Sequence, residues 1–136
     1  MTATASTPSR PAVRLPVFVA LGVVLWFVAA LMFRLVGPTL LSPGNPALPL
    51  VFALSIPVAW AFLWVGTTAI GVRGAAVLPA VVVLSFTAMF LDGLALTFFP
   101  ALYGLPPASL LIVAALLLWG VAWIQLLAFV QSRRTG

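Results

Sequence analysis

No cysteine and no histidine occur in this chain, and its charged groups are six arginines and a single aspartate, Asp92. Each absence closes a class of function. Without cysteine there are no disulfides, no thiol chemistry and no thiolate metal sites. Without histidine the commonest general base and the commonest metal ligand are gone. One carboxylate allows no acid/base pair, and nothing is present to activate Ser55, Ser85 or Ser109 as a nucleophile. No carboxylate cluster is available for a divalent cation, and no glycine-rich phosphate loop appears. The residues therefore predict a protein that is not an enzyme and takes no cofactor or metal. Charged residues make up 5% of the chain, against about a quarter in an ordinary soluble domain. So few charges cannot give a globule of 136 residues a wet surface. The net charge of +5 does not point to nucleic acid, because scattered arginines form no basic face.

What is there is apolar: 65% of the residues are hydrophobic. A bilayer core is about 30 Å thick and needs about 20 apolar residues per helical crossing. Four segments qualify, at about 15–36, 48–72, 75–99 and 109–130. They lack the alternation of barrel strands, and helices satisfy their own backbone hydrogen bonds in lipid. The expected fold is an all-α, four-helix transmembrane bundle forming one domain, 15–131, with the bilayer as its first partner. A polar tail, 1–14, is expected to be disordered, and 132–136 form a second short tail. The connection 37–49 holds four prolines and two glycines, which predicts a break there. Arg73 and Gly74 leave room only for a tight turn. Pro106 and Pro107 suit the first turn of the fourth helix. Pro57 and Pro79 fall inside spans two and three and predict kinks.

Arginine placement predicts orientation. Arg10, Arg14, Arg73, Arg133 and Arg134 fall on one side of a four-span chain, and Arg34 lies toward the other. The positive-inside rule then puts both termini in the cytoplasm. A rival reading of the first span is a secretory signal with VAA at 28–30 as its cleavage site. The apolar run is longer than the usual 7 to 15 residues of such a signal.

Asp92 lies about 26 Å along span three, and Arg34 about 29 Å along span one, at 1.5 Å per residue. Those depths predict an intramembrane ion pair, Arg34 with Asp92, whose guanidinium fork suits a carboxylate. The alternative is separate fates. Arg34 then reaches headgroup phosphates, and Asp92 is protonated or bonded to Thr97 or a loop amide. Trp26, Trp60, Trp64, Trp119 and Trp123 all fall toward mid-span. Two of the pairs are four residues apart and share a helix face. They are candidates for an aromatic pocket, with bundle filling or lipid contact as the simpler use. Shifts of 58 and 59 residues place Arg34 on Asp92, Trp60 on Trp119 and Trp64 on Trp123. That pattern suggests two related helical hairpins.

The stretches VLWFVAALMFRLVG (24–37), MFLDGLALTFFPALYG (89–104) and LLLWGVAW (116–123) resemble a bacterial family of small four-helix membrane proteins of unknown function. The resemblance implies the four-span topology in a bacterial cytoplasmic membrane and marks Arg34 and Asp92 as paired features. It implies no activity. The function expected is a non-catalytic accessory or structural membrane component, with a homo-oligomer or a larger membrane protein as its further partner. The alternative is a small exporter of apolar or cationic compounds, with Asp92 as its coupling residue.

Overall fold

The computed structural model describes residues 15–134. The N-terminal tail with Arg10 and Arg14, and residues 135–136, lie outside the described residues. Four helices carry the chain: α1 (Leu15–Leu40), α2 (Leu48–Ile70), α3 (Val77–Phe98) and α4 (Pro107–Arg134). All four are long and apolar enough to cross a membrane, which makes this a multi-pass membrane protein. Among the described residues there is no strand.

The helix ends follow local chemistry. α1 runs beyond the expected break, through Gly37 and Pro38, to Leu40. Proline there loses its own N–H bond and crowds the carbonyl four residues earlier, a cost confined to the last turn. The turn is closed by Leu41 N–H donating to the Gly37 carbonyl at 2.8 Å. The Asn45 side-chain amide donates to the carbonyls of Thr39 and Leu40, which are helix-end acceptors otherwise left without partners. α2 ends on Gly71 at φ +72°. There Val72 N–H bonds the Thr67 carbonyl and Gly71 N–H the Thr68 carbonyl, the paired closure that needs a left-handed residue. Pro79 falls in the first turn of α3, where its missing N–H is not needed, so the kink expected of it has no cause there. Pro57 does lie inside α2. α4 continues to Arg134 with both terminal arginines in its last turn, where cations oppose the helix dipole favourably. Residues 132–134 are thus helix rather than tail.

α1 packs on α3, α3 on α4 and α4 on α2, while α1 and α2 barely touch. α1 and α3 come close at Gly22, where an added Cβ would sit 2.8 Å from Thr87 Cβ and 3.0 Å from the Leu84 carbonyl. Small residues at such crossings let helices meet in lipid. The two hairpins therefore differ in the contact that a duplicated pair would share: α3 and α4 pack together, α1 and α2 do not. The core is split between the two ends. One cluster gathers Ala30, Leu41, Ala95, Tyr103, Val113 and Leu116 near the 99–106 loop. The other gathers Leu63, Val77, Val81 and Ala128 near Arg73. Between them, where α1 and α2 diverge, lies a cleft.

Candidate functional site

The loop after α3 builds the polar end of that cleft. Pro100 disfavours helical backbone at the residue before it, and Phe99 leaves the helix at φ −132°. A short 3-10 turn, Pro100–Leu102, and Gly104 at φ +62° then fold the chain back over the end of α3. Tyr103 is carried inward and fully buried, and Asp92 is 4% exposed. The Tyr103 hydroxyl donates to Asp92 Oδ1 at 2.6 Å, a charge-assisted geometry. Burial first, and the Asp92 hydrogen bond second, push the Tyr103 phenol above its ordinary pKa.

The expected Arg34–Asp92 ion pair does not form. Arg34 is exposed, and its Nη1 donates to the carbonyls of Leu102 at 3.0 Å and Ala101 at 3.3 Å. The two residues reach similar depths but are turned to different surroundings, and the folded-back loop lies between them. Arg34 binds the outside of that loop; Tyr103 binds Asp92 from the inside. Depth along a helix fixes only one of the coordinates that a contact requires, and the loop was free to supply both partners.

Trp26 neighbours both members of this pair. Its Nε1 is buried without a hydrogen bond. The indole N–H lies near the Asp92 carboxylate and the Tyr103 hydroxyl without a hydrogen bond to either. Asp92 Oδ2 accepts no hydrogen bond among the described residues.

The tryptophans do not form one pocket. Of the five, only Trp26 lines the cleft. Trp60 and Trp64 are 55% and 58% exposed and face outward, as lipid contacts. Trp119 donates from Nε1 to the Phe52 carbonyl at 3.1 Å. It packs edge-on against Phe52 and Trp123, tying α2 to α4. Sequence spacing found the shared faces but could not say which way each face turned.

The cleft has a volume of about 400 Å³, within the roughly 300–1,000 Å³ usual for small-molecule sites. Its walls are apolar side chains of all four helices, among them Phe18, Phe33, Phe62 and Leu84. The few polar walls are mostly engaged: Ser55 and Thr67 donate to carbonyls of their own helix. Ser85 does the same and also accepts from Gln125 across to α4 at 3.1 Å. That hydrogen bond and the Asn45 cap were missed from the sequence, where an isolated amide side chain carries no pairing signal. Asp92 and Trp26 are left as the polar groups with unused capacity. Comparison with protein-family models, curated proteins and solved structures finds no match to this chain.

Proposed function

We propose that this protein is a non-catalytic membrane component that holds an apolar molecule taken from the bilayer. The observation that carries the reading is the apolar cleft of about 400 Å³ lined mostly by α1 and α2, which are linked through α3 and α4 and barely meet each other. A molecule already dissolved in lipid needs no aqueous entrance and enters between the two helices. In this reading the chain sits in a bacterial cytoplasmic membrane with both termini inside, and arginine placement supports that orientation. It joins the small four-helix family that its 89–104 stretch resembles. Its outward faces, including stacked Phe86 and Phe90 at 69% and 58% exposure, are available to lipid, a second copy or a larger membrane protein.

Gly120 offers the test. It lines the cleft, and an added Cβ there meets no atom within 4 Å. Gly120→Phe is expected to fill the cleft without straining the bundle. Native mass spectrometry from mild detergent should then show an apolar molecule retained by the wild type and lost by the variant, at unchanged melting temperature. Equal retention by both removes the reading.

A second reading, a small exporter with Asp92 as coupling residue, is favoured by one observation. Asp92 lines the cleft and has no cationic partner among the described residues. Asp92→Asn would abolish proton-coupled flux in proteoliposomes if that reading holds, and leave the flux unchanged if it does not.

A further inference from the structure

Resting on the cleft as a binding site, the chemistry of its polar end narrows what fits. Asp92 Oδ1 is taken by the Tyr103 hydroxyl, which leaves Oδ2 as an acceptor. Trp26 Nε1 is a buried donor with no acceptor, and both residues line the cleft. An unpaired donor beside an under-used acceptor asks for a group that does two things at once: it must accept from the indole N–H and donate to the carboxylate. An ammonium group donates only, and would leave Trp26 unpaired. A phosphate or carboxylate accepts only, and would meet Asp92 as a like charge. A plain alkane does neither. A hydroxyl does both.

The walls supply the rest of the molecule. From Asp92 the cleft extends past Ala88, Leu84 and Ser85 to Ala80 on α3, about 18 Å at 1.5 Å per residue. Its side chains there are almost wholly apolar, and the serine hydroxyl is already engaged. An apolar slot of this length and about 400 Å³, with one polar end, fits a single extended chain. We propose that the cleft binds a long-chain alcohol drawn from the bilayer, its hydroxyl between Trp26 Nε1 and Asp92 Oδ2 and its chain running along α3 toward Ala80. Leaving a buried polar group unpaired is disfavoured, so the alcohol is selected over the alkane of the same length by the pairing at this end.

The test uses the full chain in phosphatidylcholine nanodiscs with tritiated hexadecanol as the probe. Hexadecane, hexadecylamine and palmitate serve as competitors. The expected result is saturable hexadecanol binding, with each competitor weaker by roughly fivefold or more, the size of one net hydrogen bond. Trp26→Phe keeps an aromatic wall and removes the donor, so it should erase most of the advantage of alcohol over alkane. Hexadecylamine binding better than hexadecanol overturns the proposal in favour of a cationic ligand. Equal binding of hexadecane and hexadecanol to the wild type also overturns it, leaves the apolar cleft standing, and needs no variant that might misfold. Binding of none of the four overturns the cleft reading itself.

Discussion

Asp92 is answered by a tyrosine and not by the arginine at its depth. If Arg34 and Asp92 were partners, exchanging them would restore what each single change removes. Here Arg34→Asp with Asp92→Arg is expected to be at least as damaging as the worse single variant, because the swap puts a guanidinium against the buried Tyr103 hydroxyl. It also puts a carboxylate against the carbonyls of Ala101 and Leu102. Tyr103→Phe, which leaves the carboxylate without its donor, should cost about 1–3 kcal/mol. Thermal melting in detergent across both sets checks the assignment, and recovery in the swap would reinstate the ion pair. Tyr103 is the chain's single tyrosine, so its ionisation can be followed directly by phenolate absorbance. Its folded pKa is raised above the unfolded value. The stability this contributes is therefore fully present below the ordinary tyrosine pKa of about 10 and is lost as pH rises beyond it. Little phenolate should appear at pH 10 in the folded protein, and an ordinary titration there would mean that Tyr103 is not buried on Asp92.

The helices were legible from apolar length, but their contacts were not. Hydrophobic runs report that lipid surrounds a segment; in a bilayer, outward and inward faces are both apolar, so the usual amphipathic signal is missing. Trp60 and Trp119 illustrate this, because the same residue type at the same spacing faces lipid in one helix and Phe52 in the other. Glycines carry some of the lost information once the packing is known. Gly22→Leu must displace Thr87 and the α3 backbone at Leu84 and is expected to cost about 1–3 kcal/mol by overpacking. Gly66→Leu meets open space and should be tolerated. Comparing the two variants by melting and by recovery of folded monomer tests the α1–α3 crossing, and equal behaviour would place that crossing elsewhere.

At the scale of the molecule, the proposed orientation puts the α2–α3 turn in the cytoplasm and the 99–106 loop outside. The absence of native cysteine makes this simple to read with introduced thiols. In right-side-out cells an impermeant maleimide is expected to label Ala108→Cys and to spare Ala75→Cys, both exposed positions. The opposite pattern inverts the topology and turns the polar end of the cleft toward the cytoplasm. The arrangement is asymmetric in any case. Arg34 and Tyr103 close one end through a single loop, whereas the other end is closed by apolar packing around Val77 and Val81.

Composition alone determined that this protein spans a membrane, since a chain with seven charged side chains has no other solvent, and the apolar run lengths set four crossings and their approximate limits. Prolines and glycines marked the turns, though not the extra turn of α1 that Asn45 caps. Only the tertiary structure decided which residues meet. It turned Arg34 outward to the loop and Tyr103 inward to Asp92, left one tryptophan of five on the cleft, and parted α1 from α2. The physical reason is that insertion into lipid depends on the summed polarity of a segment, which a sequence states. Helix rotation and loop path depend on close packing and on a few directional hydrogen bonds between residues distant in the chain, which it does not.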